Sequence, residues 1–464
     1  MSLFGGVQVI SILCSIIRTK LIAVWIGPAG IGLIGLYNSA IEMISTFAGL
    51  GIRNSSVRDI SLNSSTHNKE RIRLIIAVVR RWSWLVGLFG ALITISFAPL
   101  LSKITFNDDN HIWGFVALSV VVLVNALAGG EFAVMQGTSR LKPLAQASVL
   151  GFVSGLIISI PLIFLLRIDG IVIIIIAYSI MTAIFCLIFR DKEYDKKIEL
   201  TYKETFRIGT GFIKLGVLMT LSSFISILFS YIFIAYLNKT SGTSEVGFYQ
   251  AGYTLVNKYV GLIFASMGME YFPRLTKVTE SRHRMSIFVS QQIRIILLIL
   301  IPVICGFLLF RELIVTILYA PEFTIIISFI SWSIIGTIFR AISWCMAFVI
   351  LSKGSGKLYL ITETISALSG FVLNILFYHF WGLTGLGLSF LVWYVFYSLI
   401  ISAIYKYYYK LKLNPSIYYL IILSVIVSTG VLYIINNSLL TFAIVVSVIA
   451  SAFCIYRLCK LLRL

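Results

Sequence analysis

An all-α polytopic membrane protein of about fourteen transmembrane helices is the fold this sequence predicts, built as two six-helix lobes followed by two further helices. Three observations carry it. Apolar residues make up 59% of the 464 positions and charged residues only 12%, with a mean hydropathy of +1.00. A soluble domain could not hide that much apolar surface, whereas a bilayer solvates it. The apolar residues fall into segments of about 20, the length needed to cross the hydrocarbon core. Finally, glycine-rich landmarks recur at a nearly constant offset.

The spanning segments are 2–25, 31–52, 74–100, 112–135, 144–166, 171–189 and 208–237, then 246–270, 286–310, 324–351, 358–380, 386–404, 417–435 and 441–457. Gly, Pro and charged residues punctuate the gaps, as in Ile26-Gly27-Pro28-Ala29-Gly30 and Asn414-Pro415. The first segment reads as a retained helix, since no small-residue cleavage site and polar mature domain follow it. Gly32 and Gly247 open spans at an offset of 215, and Gly170 and Gly385 repeat that offset. Gly137-Thr138-Ser139-Arg140-Leu141 and Gly354-Ser355-Gly356-Lys357-Leu358 recur at 217. An even number of helices per repeat makes the repeats parallel, related by an axis along the membrane normal. The domains are then 1–200, 201–408 and the additional pair in 409–464.

The formal net charge is +19. Placing the N-terminus in the cytoplasm puts 27 of the 37 Lys and Arg at inner positions and 6 at outer turns, a positive-inside bias that makes both termini cytoplasmic. This distribution, with no zinc-finger spacing, argues against nucleic acid. Cys14, Cys186, Cys305, Cys345, Cys454 and Cys459 sit in apolar segments without C-x-x-C and read as small core residues. His67, His111, His283 and His379 are scattered, so no metal site and no cofactor are expected. A Walker A sequence is absent, and Asp108-Asp109 is a lone loop pair, so the chain reads as a transporter rather than an enzyme.

Ionisable groups at membrane depth are expensive, about 2.5–3.5 kcal/mol each on insertion scales, and ordinarily face a polar cavity. On the first helix Gln8, Ser11, Ser15 and Arg18 share one face, while Lys20 lies about 200° from Arg18 and is expected to snorkel outward. The second carries Gly35, Asn38, Glu42, Ser45, Gly49 and Arg53 along one stripe. The eighth carries Gln250, Thr254, Asn257 and Lys258, the tenth Gly336, Arg340 and Ser343, and the eleventh Glu363, Ser366, Gly370 and Asn374. Arg18, Arg53, Lys258 and Arg340 are the candidate substrate-binding residues. Arg offers a fork to phosphate oxygens and Lys a point charge. Glu42 and Glu363 are candidate coupling acids; the competing reading is that they only close the bundle as ion pairs. Lys214, Arg294 and Glu131, nearer the inner interface, are expected to snorkel. Trp82, Trp84 and Trp113 read as interfacial belt residues, and sugar stacking by Tyr37, Tyr253 or Trp344 is a lesser alternative.

A family resemblance rests on Lys20-Leu21-Ile22-Ala23, Gly27-Pro28-Ala29-Gly30-Ile31-Gly32 and Gly49-Leu50-Gly51-Ile52. Glu245-Val246-Gly247-Phe248-Tyr249-Gln250, Pro273-Arg274-Leu275, Lys353-Gly354-Ser355-Gly356-Lys357 and Ile361-Thr362-Glu363 add to it. Over residues 3–405 the chain resembles Wzx-type flippases of the multidrug/oligosaccharidyl-lipid/polysaccharide exporter superfamily, including the enterobacterial common antigen flippases. The resemblance implies two bundles around a lumen that opens alternately to either side of a bacterial inner membrane. Its cargo would be an undecaprenyl-diphosphate-linked oligosaccharide, with membrane lipids, a polysaccharide polymerase and a chain-length regulator as further partners. The family pattern has twelve helices, the alternative count here, so the last two are a departure. A multidrug or cation antiporter of the same superfamily is the competing transporter, and an integral-membrane polymerase or ligase the competing enzyme.

Overall fold

The structure, a computed structural model, describes residues 2–49, 51–64, 69–191 and 201–462. Leu50, His67, most of the inner basic stretch before Thr201, Arg463 and the side chain of Lys214 lie outside the described residues. Every described regular element is helical, as apolar chain in lipid requires, because only helices satisfy their own backbone groups without water.

The helices run α1 (Ser2–Trp25), α2 (Pro28–Gly49), α3 (Ile52–Ser64), α4 (Lys69–Ser96), α5 (Ala98–Phe106), α6 (Ile112–Gly137), α7 (Leu141–Leu166) and α8 (Ile171–Ile188). They continue as α9 (Tyr202–Ser241), α10 (Thr243–Thr254), α11 (Gly261–Thr276), α12 (Arg282–Leu309) and α13 (Arg311–Leu318), then α14 (Ile327–Ser352), α15 (Gly356–Ala403), α16 (Pro415–Asn436) and α17 (Leu440–Leu462). Among the described residues, eleven continuous stretches are long and apolar enough to cross a membrane. Two of them contain a reversal. Between α7 and α8 the chain turns at Arg167–Gly170, and Gly151 and Gly155 of α7 pack against Thr182 and Tyr178 of α8 in antiparallel order. Inside α15 the backbone leaves helical geometry at Gly382. Across that bend Trp393 meets Ser366 and Tyr397 meets Glu363, again antiparallel. The run from α10 to α11 is the remaining predicted span; Gln250, Thr254, Asn257 and Lys258 make it too polar to register by hydropathy, and a π-helical turn, Leu255–Tyr259, interrupts it. With the two hairpins resolved and this run added, the predicted fourteen segments are all helical.

The second span is shorter than the sequence suggests. It stops at Gly49, and Gly51 (φ 71°) swings the chain into α3, so Arg53 opens a separate helix instead of extending the α2 stripe. Only glycine adopts that backbone without penalty.

The repeat is visible in the backbone itself. Left-handed φ angles occur at Gly27 and Gly242 (both 88°), at Ser139 and Gly354 (58° and 70°), and at Arg167 and Gly382 (47° and 55°), each pair 215 residues apart. The hydrogen bonds repeat as well. Arg140 N–H donates to Met135 C=O at 2.9 Å, and Ser355 N–H to Ile350 C=O at 3.1 Å. Ser139 N–H reaches Gln136 C=O at 3.1 Å, and Gly354 N–H reaches Leu351 C=O at 3.0 Å. Both are Schellman caps, which satisfy carbonyls that a helix end would otherwise orphan.

The chain forms two compact units. One is Met1–Gly247 with Leu318–Ala320, and the other Phe248–Ile317 with Pro321–Leu464. In unit 1, α9 packs on α2, α3, α4 and α5. Its core gathers Ile41 and Ile44 of α2, Phe115 and Leu118 of α6, and Ile171 of α8. Gly32 and Gly247, equivalent in the repeat, meet there. A Cβ on Gly32 would lie 1.9 Å from the Thr243 carbonyl oxygen, and one on Gly247 1.9 Å from that of Pro28. In unit 2 the core runs along α12 and α14 through Ile293, Leu297, Ile301, Ile334 and Ile338, and α16 and α17 pack on α12.

Candidate functional site

Unit 1 holds a cavity of about 320 Å³ between α2, α3, α4 and α6. Glu42, Arg53 and Asn125 bring the charge and polarity, and Ser45, Ser56 and Ser83 line the walls. Gly129 of α6 faces Arg53, and a Cβ there would stand in ordinary contact, 3.9 Å from its Cδ. The hydroxyls of Ser45 and Ser56 are buried without a hydrogen-bond partner. Two orphaned donors beside an exposed carboxylate and an exposed guanidinium leave polar capacity that a bound group could use. Glu42 and Arg53 both line this cavity.

Arg18, on α1, is half-buried, and its guanidinium lies 4.5 Å above the ring of Tyr178 on α8. Lys20 is placed differently from the sequence expectation. It does not snorkel to headgroups; its ammonium donates to the backbone carbonyl of Tyr319, in the short segment that belongs to unit 1. Arg18 and Lys20 meet different partners, and the lysine's is a buried acceptor 299 residues away.

Glu131 is also corrected. It is buried rather than snorkelling, and Arg80 of α4 grips it with Nε at 2.7 Å and Nη2 at 3.1 Å. Trp82, expected in the interfacial belt, is 7% exposed and donates its indole N–H to the Thr205 carbonyl at 3.0 Å. Trp84 and Trp113 are exposed, as belt residues are. Of the cysteines, Cys459 is exposed and the other five are buried. Tyr37 is buried midway along α2, bonded at 2.8 Å to His111, whose ring stacks on Phe106, so it is not available to a sugar. Burial holds the His111 imidazole below its ordinary pKa, against the upward pull of Asp108.

In unit 2, Arg340 of α14 is half-buried and donates to Asn257 Oδ1 at 2.6 Å. Its guanidinium also lies 5.1 Å from the Phe264 ring and 5.7 Å from that of Tyr394. Asn257 sits in the π-helical turn, and its amide nitrogen is buried without a partner. Lys258, next in that turn, is exposed. π-Turns interrupt helices most often where function needs a side chain re-aimed. Glu363 accepts from the Tyr397 hydroxyl at 2.6 Å. Thus Asn257 and Arg340 come together, with Lys258 the next residue in the chain, whereas Glu363 is tied to the neighbouring arm of its own hairpin. Trp344 packs among Phe264, Tyr271 and Phe348 instead of presenting a free face. Sequence periodicity finds the arginines but not their rings. Tyr178, Phe264 and Tyr394 carry no local signal, because each lies on a different helix from its cation.

A family model described as polysaccharide biosynthesis protein matches residues 21–328, two-thirds of the chain. The chain belongs to that family. Among curated proteins it is similar to the lipid III flippase of Escherichia coli (strain K12), 24% identical over 375 residues that cover 78% of this chain and 85% of that protein. The lipid III flippase of Shigella flexneri matches to the same extent. Among solved structures it is similar to an inward-facing multidrug resistance MATE family transporter of the MOP superfamily, with a TM-score of 0.69 at 13% identity over 86% of this chain and 96% of that one. The lipid II flippase MurJ in an inward closed conformation has a TM-score of 0.68 at 14% identity, covering 100% of both chains. The chain therefore shares its fold with these two solved transporters, its last two helices included in the likeness to MurJ.

Proposed function

We propose that this protein is a flippase for lipid-linked oligosaccharides, carrying undecaprenyl-diphosphate-linked repeat units of a surface polysaccharide from the inner to the outer leaflet. The relatives named lipid III flippase support the class of cargo. The observation that carries the reading is how the membrane-depth arginines are held. Among the described residues, Arg18 and Arg340 rest on aromatic rings and an amide and meet no carboxylate, while Arg80 is neutralised by Glu131. Cation–π contact is worth about 0.5–2 kcal/mol and leaves the full charge in place. Such cations suit a diphosphate, which needs positive groups that persist at neutral pH. A cation exporter calls for acids where Arg18 and Arg340 stand. In this reading Arg18, Arg53, Lys258 and Arg340 bind the anionic cargo, and Glu42 with Glu363 supplies ion coupling.

The test is export in a strain whose own flippase has been deleted, read as accumulation of lipid-linked repeat units on the inner leaflet. Lys258→Arg should preserve export, Lys258→Gln should impair it, and Lys258→Glu should abolish it, because a carboxylate repels the diphosphate. Intact export in Lys258→Glu, or resistance to cationic dyes conferred by it, would overturn the anionic-cargo reading.

The protein works in the bacterial inner membrane with both termini cytoplasmic, an orientation supported by the Lys and Arg distribution. Alkaline phosphatase fused after Asn107 or Asn436 should be active, and fused after Glu199 or Leu413 inactive. The reverse result after Asn436 and Leu413 would invert the final hairpin. A polymerase and a chain-length regulator are proposed to receive the product on the outer face.

A further inference from the structure

Ser286, Ser290 and Arg294 stand at successive turns along one face of α12. The segment joining α15 to α16 lies along that face. Lys412 N–H donates to Ser286 Oγ at 3.2 Å, Asn414 N–H to Ser290 Oγ at 3.1 Å, and the Arg294 guanidinium to Ser416 Oγ at 2.6 Å. Two residues of extended chain advance about 6.6 Å and four residues of helix about 6.0 Å, so the two rows keep step. The alternation of an extended chain then sorts the side chains. Leu411 is buried in the unit 2 core and Leu413 packs against it, while Lys410 and Lys412 are exposed on the other side.

The result is a pocket of about 450 Å³ bordered by Arg282, His283, Gln291, Arg294, Lys410 and Lys412, with no acidic residue in its lining. Arg294 also belongs to a second cavity, of about 390 Å³, between α12, α16 and α17. Leu298, Leu420, Leu423, Phe453 and Leu461 wall it, Arg457 and Lys460 stand beside them, and again no acid is present.

We infer that this end of unit 2 is a built site for an anionic phospholipid, its phosphate in the basic pocket and an acyl chain in the groove between α12, α16 and α17. Charge complementarity selects the phosphate, since basic side chains converge with no acid among the described lining residues. Continuity selects a lipid over a soluble anion: the arginine that borders the polar pocket also borders the apolar groove. The final two helices thereby acquire a role, since α16 and α17 supply most of the groove. The site uses none of Arg18, Arg53, Lys258 or Arg340 and stands independently of the cargo assigned above.

Native mass spectrometry of the full-length protein in detergent tests this, with phosphatidylglycerol and phosphatidylcholine of identical chains as probes. Wild type should retain phosphatidylglycerol about tenfold more tightly. Arg282→Gln/Lys410→Gln/Lys412→Gln should bring it down to the phosphatidylcholine level, and Lys410→Arg/Lys412→Arg should keep it. Leu420→Trp, which fills the groove and leaves every charge in place, should weaken retention of both lipids. Equal retention of the two lipids by wild type, an undiminished triple variant, or loss in the Arg pair would overturn the proposal. Displacement by equimolar glycerol phosphate would reduce the site to a soluble-anion pocket, and displacement by equimolar undecaprenyl phosphate would give it to the transported lipid; either result overturns it as well.

Discussion

Export of repeat units is expected to fall about 30- to 1000-fold in Arg340→Ala, with the protein still reaching the membrane in normal amount. Loss of a desolvated, hydrogen-bonded cation that meets an anionic ligand costs about 2–4 kcal/mol, and each 1.4 kcal/mol is a factor of about ten. The truncation also strands Asn257, whose oxygen loses its 2.6 Å donor and whose amide nitrogen is already unpartnered. Arg340→Lys should recover only part of the activity, because an ammonium keeps the charge but neither the fork nor the flat face set near Phe264 and Tyr394. The assay is again inner-leaflet accumulation in a flippase-deficient strain. Export at the wild-type rate in Arg340→Ala would remove the central cation from the mechanism.

The second large effect falls on stability. Glu131→Gln should lower the detergent-solubilised Tm sharply and reduce the amount of folded protein recovered. The pair it breaks is short, 2.7 Å, with side chains 18% exposed for Arg80 and 7% for Glu131. Removing one partner of a buried pair leaves an uncompensated charge and costs about 3–5 kcal/mol. Replacing both together is milder, because desolvation of each ion is avoided. Arg80→Met/Glu131→Leu should therefore recover most of the lost Tm. An unchanged Tm in Glu131→Gln would mean that Arg80 finds another acceptor, such as the Asp191 carbonyl at 3.5 Å.

The spans were legible because lipid forces each to be long, apolar and helical, so composition alone nearly fixes them. Short helices escaped the same logic. α3 and α5 have 13 and 9 residues, below the length that hydropathy detects, and nothing in the sequence but Gly51 warns that α2 ends before Arg53. At the site, periodicity identified which face of each helix carries charge. It could not say what that face meets. Lys20, Trp82 and Glu131 all departed from expectation for one reason: their partners Tyr319, Thr205 and Arg80 lie far off in the chain, and a hydrogen-bonding group brought close by the fold outbids the headgroup region.

The paired left-handed turns make each half of the chain a reference for the other. Where the second half uses Gly382 (φ 55°, ψ −139°), the first places Arg167 at φ 47°, ψ −125°, a region that is almost glycine's alone. Where the second uses Gly354, the first uses Ser139. Two conformations that glycine adopts freely are thus imposed on side-chain-bearing residues in one half only, at about 1–3 kcal/mol each. The asymmetry locates, without any other sequence to compare, where the first half carries tension that its twin has shed.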